Sequence, residues 1–493
     1  MKLLKNYMAI ALVALTATSC TEGLMDDINR NNGQPEASVV DGKFSIPVAL
    51  TNLAFYGVAG SYGNYTSSYT EQLFGTGGLQ MARAEVRNAG ETASSATFNN
   101  DWNGNYSNLR LLKEVIDKCN SGVNEGQHDV LGVAQTLSAL NTGILTDMHG
   151  DIPYSEALGG QANLTPKIDK QETVYDAIFS LLDQAAANLE TAINAGESHL
   201  GSQDLLYGGD CGKWLAFTYA LKARYKLHLQ ARSQNAVNEA LEAASKAVEY
   251  GFDGAELNCF DDNSNNPWTA FFWSRSYTGS SKTVADLMLE REDPRYDVYV
   301  VPFFDVDTVG TPGDNAQAYT SAEIAAPAWL DNGGASVHLL SKAELYFILA
   351  ECKARLGGDP AADFATAVQA SFEDYAASDP GYTDFSASTA GEYIASLPVT
   401  LKEIMVQKYL AQARDEHIET YNDLRRLKAL GEEYVVLTNP RNTSSTGNAW
   451  PLRLPYGESD VRSNPNVRQA FGQGNEAGRY VFTDNVWWAG GSR

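Results

Sequence analysis

Apolar side chains recur at three- and four-residue steps along most of this 493-residue chain, and this is the period of an amphipathic helix. Leu109, Leu112, Ile116 and Cys119 form one such stripe. The same spacing returns in three further segments, at residues 174–193, 214–228 and 240–248. We therefore predict a mostly α-helical protein with few short strands.

The clearest unit is a pair of helices at residues 341–375. Ser341 and Glu344 have the spacing of a capping box, in which each side chain binds a free backbone amide of the first turn. Glycines at 357–358 end the first helix, and Pro360 suits the first turn of the next, where a missing N–H costs nothing. We predict an antiparallel hairpin that resembles those of tetratricopeptide repeats.

A second capping box, Thr400 with Glu403, begins another helical stretch. Its apolar residues surround most of the helix, so we expect burial on several sides. Thr420 and Asp423 predict a break before residue 424. Residues 251–334 and the chain after 431 are rich in Asn, Asp, Gly, Pro and aromatics, which favours loops with short strands at best.

The first twenty residues have the pattern of an export signal. Lys2 and Lys5 precede an apolar run at 8–17, which is too short to span a bilayer. A small-residue cleavage site at 17–19 stands directly before Cys20, which resembles a bacterial lipoprotein signal whose cysteine is acylated. Ordinary secretion, with Cys20 there by chance, is the alternative. We predict a signal peptide at 1–19, a lipidated N-terminus and tether at 20–42, and one folded domain at 43–493.

The charge balance excludes some partners. The chain has 36 Lys and Arg against 61 Asp and Glu, a formal net charge of −25. Cleavage after residue 19 removes Lys2 and Lys5 and no acid, so the balance becomes 34 against 61, or −27. Such a protein is repelled by phosphate backbones and anionic headgroups, so we expect no nucleic-acid partner. Attachment to a membrane lipid layer would then depend on the acyl chains at Cys20.

The four other cysteines show no metal-ligand or redox spacing. Cys119 and Cys352 continue apolar helical stripes, as buried free thiols do. The disulfide state of all four cysteines, which include Cys211 and Cys259, stays open. We predict no zinc site and no cofactor.

The sequence carries no recognisable catalytic motif. The glycine-rich segment at 208–213 lacks phosphate-loop spacing, and Trp214 stands where a Mg²⁺-binding hydroxyl is required. Asp305 and Asp307 begin like a calcium loop, but Ala316 occupies its twelfth position, so a structural calcium ion remains only an open alternative. His149 and His417 have no visible Ser or Cys partner, and we interpret both as structural.

Aromatic residues in the predicted loops are the candidate ligand-binding residues. Flat rings flanked by Asn, Ser and Arg suit a sugar, whose C–H faces stack while its hydroxyls need polar partners. The alternative is that these rings fill the core beneath the loops. The candidates are Trp268, Phe272, Trp273, Arg275, Tyr277, Trp329, Tyr65 and Tyr69.

Several segments together resemble the SusD/RagB family, in its SusD-like branch of outer-membrane lipoproteins of Bacteroidetes. One segment departs from the family pattern, because Gly457 stands where the family usually has proline. The segments follow the family's order along nearly the whole chain after the tether. They are 146–157 (TDMHGDIPYSEA), 213–224 (KW to KAR), 293–295 (DPR), 403–409, 421–426, 453–466 and 486–488 (VWW).

The resemblance implies a binding protein and not an enzyme. Its fold would consist of tetratricopeptide-like helical hairpins supporting an irregular, loop-rich ligand-binding region. Such proteins face outwards from the outer membrane and deliver oligosaccharides, or in some relatives peptides, to a SusC-like TonB-dependent transporter. Two other functions remain open: a helical-repeat scaffold that binds mainly the transporter or peptides, and a glycan hydrolase.

Overall fold

The computed structural model describes residues 39–77, 80–275, 278–302, 306–313, 323–379, 387–439 and 449–492. Cys20, the signal peptide, the tether as far as residue 38, and Tyr277 lie outside the described residues. Gly42–Arg493 forms one compact unit. The boundaries that we assigned to the signal and the tether therefore stay predictions.

The described part of the chain is mostly helical, as predicted. In chain order the helices are α1 Ile46–Asn52, α2 Ser61–Tyr69, α3 Gln80–Glu85, α4 Ala89–Thr92, α5 Asn99–Ser121, α6 His128–His149, α7 Gln171–Ala195, α8 Cys211–His228, α9 Ala236–Glu249, α10 Pro267–Arg275, α11 Lys282–Leu289, α12 Tyr296–Tyr299, α13 Lys342–Arg355, α14 Ala361–Ser378, α15 Ala387–Ser396, α16 Leu401–Gln412, α17 His417–Ala429, α18 Glu458–Ser463, α19 Pro465–Phe471 and α20 Tyr480–Thr483.

Successive long helices pack side by side and make the scaffold. The pairs α5–α6, α6–α7, α7–α8 and α8–α9 are all in contact. The array then continues to α13, which packs on α9, on its own hairpin partner α14 and on α16. This is the predicted arrangement of helical hairpins, in which each helix hides its apolar stripe against its neighbours.

Three two-stranded antiparallel sheets complete the described fold. Each sheet joins segments that are distant in the sequence or lie at the ends of a loop. The strands are β1 Leu73–Gly75 with β5 Thr278–Ser280, β2 Ile152–Pro153 with β3 Ile168–Asp169, and β4 Ala255–Leu257 with β6 Val337–Leu340. A register irregularity at Ala255 and Glu256 sets Glu256 opposite His338.

Both predicted helix starts are confirmed, but their capping boxes are only half formed. The Ser341 hydroxyl accepts the Glu344 amide at 3.0 Å, and the Thr400 hydroxyl accepts the Glu403 amide at 3.2 Å. The two glutamates do not reach back to the cap residue. Glu344 binds the Arg224 guanidinium at 2.7 Å instead, because a charged donor in the interior is a stronger partner than a backbone amide.

Two predictions about loops and breaks were wrong. Residues 251–334 contain α10, α11 and α12, and the chain after 431 contains α18, α19 and α20. The break after α16 lies at residues 413–416, whereas α17 runs through Thr420 and Asp423 without interruption. The side chain of Asp423 pairs with Lys408 at 2.7 Å, so this residue serves an ion pair and not a helix start.

One run among the described residues, Gly42–Tyr69, is long and apolar enough to cross a membrane by length and composition alone. In the fold it is interrupted by a π-helical segment, Leu53–Val58, between α1 and α2. All of α2 after Ser61 is buried, and α2 packs against α17. Core helices pass the same test, so the run is weak support for a membrane span.

Candidate ligand-binding surfaces

Five distant parts of the chain meet in the interior, among them the family-like segments at 146–157 and 486–488. Asp147 of α6 accepts the Tyr175 hydroxyl at 2.5 Å and the Trp488 indole N–H at 2.9 Å. His228 of α8 lies 2.9 Å from the same tyrosine and 2.5 Å from Glu419 of α17. All five side chains are buried. A buried polar group is stable only when it is paired, so these residues specify how five distant parts of the chain fit together.

A second part of this interior joins α13 to α17. Arg426 binds both carboxylate oxygens of Glu351, at 2.7 and 2.8 Å, and also Asp423 at 2.7 Å. In the DPR segment, the Arg295 guanidinium likewise donates to both carboxylate oxygens of Asp293, at 3.0 and 2.6 Å. The DPR segment and the segment at 421–426 therefore contribute buried ion pairs that hold the scaffold together.

The two histidines that we interpreted as structural are buried and neutral. Nε2 of His149 lies 2.6 Å from the Tyr62 hydroxyl, and its Nδ1 lies 3.3 Å from the Leu454 carbonyl. Nδ1 of His417 lies 2.8 Å from the Gln72 side-chain oxygen. Burial lowers the pKa of each ring to about 3, so neither would accept a proton as a general base near neutral pH.

Five of the predicted ligand-binding rings lie in the core. Each is at most 3 % exposed. Trp268 packs edge-on against His417 with ring centres 5.1 Å apart, and Trp329 packs in the same way on Tyr375 at 5.5 Å. Stacking on a sugar requires an open ring face, which these side chains do not present in this conformation. The buried five are Trp268, Phe272, Trp329, Tyr65 and Tyr69.

Trp273 and Arg275 remain at the surface, at the end of α10. The Trp273 side chain is 53 % exposed, and its indole N–H donates to Asp331 at 2.9 Å. The buried ring of Phe272 packs edge-on against the Trp273 indole, with ring centres 5.9 Å apart. The hydrogen bond fixes the orientation of the indole, so its ring is presented to solvent as a fixed flat surface.

A groove of about 650 Å³ beside α5 was not predicted. Its floor includes Tyr106, whose hydroxyl donates to the Pro153 carbonyl at 2.7 Å. Asn103, Ser107 and Arg110 lie along the same helix and supply polar side chains at the rim. An aromatic floor with a polar rim suits a ligand with both apolar faces and hydroxyls. Trp102 and Tyr106, one helical turn apart and flanked by polar residues, were the available signal.

The glycine that departs from the family pattern has a structural explanation. A Cβ atom at Gly457 would lie 2.4 Å from Cγ of Trp102, and any residue other than glycine carries such an atom. The backbone itself, with φ −66°, would accept proline. The close approach of Trp102 therefore favours glycine here. Trp102 is fixed by an indole hydrogen bond of 2.8 Å to Asp460.

Two groups of described residues have the composition of a metal site. In the first, Asp129, Glu197 and His199, the Asp129 carboxylate already accepts the backbone amides of His199 and Leu200, at 2.6 and 3.3 Å. This group is explained as a loop anchor. The second group is Glu256, His338 and Asp374. The calcium-like loop lies partly outside the described residues, which omit Asp305 and Ala316.

The fold and these surfaces define a helical-hairpin scaffold protein with a densely paired polar interior and few exposed rings. The sequence profile of a family described as starch-binding and associating with the outer membrane matches residues 45–457. No curated protein matches the chain. The chain therefore belongs to the SusD/RagB family, in its SusD-like branch, as its sequence segments predicted.

Solved structures agree with this assignment. A SusD/RagB family protein from Bacteroides thetaiotaomicron is 34 % identical, with a TM-score of 0.81 over 92 % of this chain and all of its own. A SusD homolog from Bacteroides fragilis is 20 % identical, with a TM-score of 0.72 over 91 % of this chain and 100 % of its own. A chitin-binding SusD homolog from Flavobacterium johnsoniae is also 20 % identical, with a TM-score of 0.69 over 90 % of this chain and 98 % of its own.

Proposed function

We propose that this protein is a surface lipoprotein that binds oligosaccharides and delivers them to a SusC-like TonB-dependent transporter. The observation that carries the proposal is the family match over most of the chain, to a family described as starch-binding and associating with the outer membrane. The solved homolog that binds chitin supports a carbohydrate ligand in particular. Catalysis would be left to other proteins.

Trp273 is the ring that we propose as a glycan contact. It is the one indole among the exposed large apolar side chains of the described residues. Its hydrogen bond to Asp331 holds the ring in place before a ligand arrives, so little rotamer entropy is lost on binding. Arg275, on the same helix end, offers hydrogen-bond donors for sugar hydroxyls.

Isothermal titration of the purified protein against a panel of polysaccharides tests this function. We expect one glycan class to bind, and Trp273→Ala to weaken that binding by about tenfold, which corresponds to about 1.4 kcal/mol of lost stacking. Tyr250→Ala is the matched control, because it removes a ring that is 40 % exposed directly after α9, outside both surfaces. The Tyr250→Ala variant should bind the glycan with unchanged affinity.

Other results would show whether the proposed binding site or the proposed function is wrong. If Arg110→Ala weakens binding and Trp273→Ala does not, the groove beside α5 is the glycan site. If no polysaccharide binds but the protein co-purifies with a transporter barrel, the scaffold alternative is favoured. Release of reducing sugar by the pure protein would favour a hydrolase.

The anchor at Cys20 has its own test. We propose that Cys20 is acylated and holds the protein on the outer leaflet, facing outwards. Labelled palmitate should then be incorporated into the protein in cells, and protease added outside the cells should reach it. Release of unlabelled protein into the medium would contradict the anchor and favour plain secretion.

A further inference from the structure

The imidazole of His338 has one nitrogen paired and one nitrogen without a partner. Nδ1 lies 2.7 Å from an Asp415 carboxylate oxygen, and the other oxygen of Asp415 accepts the His338 backbone amide at 3.1 Å. The side chain is only 2 % exposed, yet Nε2 makes no hydrogen bond. Buried polar atoms in proteins are rarely left unpaired, so this nitrogen requires an explanation.

Two carboxylates face the unpaired nitrogen. Nε2 lies 3.7 Å from Oε1 of Glu256 and 3.7 Å from Oδ1 of Asp374. These distances are too long for hydrogen bonds. The three donor atoms all lie within 4.8 Å of one another. The three donor atoms are thus too far apart to bind one another directly, but they are close enough to bind one atom placed between them.

Three parts of the fold bring these groups together. Glu256 and His338 are opposite each other in the β4–β6 pair, so their side chains share one face of that sheet. Asp374 comes from α14. The side chains of Glu256 and Asp374 are 34 % and 16 % exposed, so water can reach the space between the donors.

We propose that His338, Glu256 and Asp374 form a binding site for one divalent first-row transition-metal ion, with Zn²⁺ as the representative. One imidazole nitrogen and two carboxylate oxygens are ligands that Zn²⁺ accepts, at 2.0–2.2 Å. Tetrahedral bonds of that length put neighbouring donors about 3.4 Å apart. The two 3.7 Å distances from Nε2 must then shorten by about 0.3 Å. The two carboxylate oxygens, which lie within 4.8 Å of each other, approach by rotation of their partly exposed side chains. A water molecule takes the fourth position.

Asp415 supports the same assignment from behind the ring. A carboxylate accepts only, so Nδ1 must carry the proton that it donates to Asp415. Nε2 is therefore the ring nitrogen that offers its lone pair when a metal ion takes the place of a proton there. Metal-binding histidines commonly have a carboxylate partner of this kind, which fixes the tautomer and the ring orientation. Asp415 is thus a positioning residue for the site.

The local charge also fits a divalent cation. The carboxylates of Glu256, Asp374 and Asp415 contribute −3, and Arg414, 3.1 Å from Asp415, contributes +1. The sum is −2. A proton on Nε2 is the competing occupant, because Asp415 and Asp374 raise the pKa of the ring against the opposite effect of burial. A calcium ion is disfavoured, since it takes six to eight oxygen ligands.

Thermal unfolding of chelator-stripped protein, with and without Zn²⁺, tests the site. At a zinc concentration about a hundred times the dissociation constant we expect the unfolding midpoint to rise by about 3 °C. Calorimetry should show one zinc ion per chain at this site. Glu256→Gln and Asp374→Asn should abolish the shift, and both positions are accessible enough to be replaced by an isostere without a cavity.

His199→Ala is the matched control, because it removes the histidine of the other metal-like group. This variant should keep the full zinc response. The proposal is overturned if zinc produces no shift, if Glu256→Gln responds like the natural protein, or if His199→Ala removes the response. A metal-independent loss of stability in Glu256→Gln and Asp374→Asn, with no zinc effect in the natural protein, would show a buried imidazolium ion pair instead.

Discussion

Replacing Glu351 by glutamine should destabilise the protein by about 3–5 kcal/mol, the usual cost of breaking a buried ion pair. Glu351 is fully buried and binds Arg426 through both oxygens, and one of those oxygens also binds Arg355 at 2.7 Å. Glutamine keeps the shape but removes the negative charge. The Arg426 and Arg355 guanidiniums then keep only Asp423 and Glu432 as counter-ions, and urea denaturation measures the loss.

The pH dependence of stability gives this prediction a second readout. Burial would raise the pKa of the Glu351 carboxyl, but Arg426 and Arg355 outweigh burial and hold that pKa far below its usual value. The stabilising contribution is therefore complete above the unfolded-state pKa of about 4.3, and it is lost as the pH falls further. Stability of Glu351→Gln should fall less steeply with pH on the acid side.

A surface pair is the control for Glu351. Lys113 and Asp117 of α5 are 2.6 Å apart, but their side chains are 47 % and 59 % exposed. Exposed pairs at this spacing contribute about 0.3–0.5 kcal/mol, so Lys113→Ala should change stability by no more than that. Equal effects of Lys113→Ala and Glu351→Gln would contradict the structural role of the buried network.

Replacing Gly143 by alanine should destabilise the protein by about 2 kcal/mol or more. Gly143 lies in the middle of α6, where alanine would normally favour the helix by about 1 kcal/mol. Here, however, an added Cβ would lie 2.1 Å from the Tyr225 hydroxyl oxygen and 2.3 Å from its ring. Tyr225 is buried and packed edge-on against Tyr175, so it cannot move aside, and overpacking forces α6 away from α8.

Gly391 provides the matched control for Gly143. It is an exposed residue inside helix α15, and a Cβ added there would have no neighbour within 4 Å. Gly391→Ala should therefore stabilise the protein slightly, by up to about 1 kcal/mol. The opposite signs of the two substitutions are the result to look for in denaturation midpoints. An unchanged or more stable Gly143→Ala would mean that α6 and α8 do not pack as closely as described.

Local sequence signals located most of the helices correctly. The stripes at 174–193 and 214–228 lie inside α7 and α8, and the caps at Ser341 and Thr400 begin α13 and α16. Helix starts that we missed used the same chemistry. Asn266 accepts the Thr269 amide at 3.0 Å just before Pro267, and Asn464 accepts the Asn466 amide at 2.9 Å just before Pro465. These Asn-Pro pairs could have predicted α10 and α19, but high Asn and Gly content around them favoured loops.

The candidate site was less predictable than the fold. Eight residues were named for their aromatic or polar character, and of the seven that are described only Trp273 and Arg275 are at the surface. Trp268 and Trp273 are five positions apart on α10, which places them on different sides of the helix. Which side faces the core is decided by His417 and by the chain around Trp329, and both lie far away in the sequence.

The sequence by itself determined the family, the helical periods and most helix starts, because these depend on residues within one or two turns of each other. The tertiary structure decided which aromatic rings are exposed and that Glu344 binds Arg224. It also decided that Glu256 and Asp374 face Nε2 of His338. Each of those outcomes depends on contacts between segments many tens of residues apart. Burial and the strength of buried charge pairs are properties of the packed interior, and no local pattern specifies them.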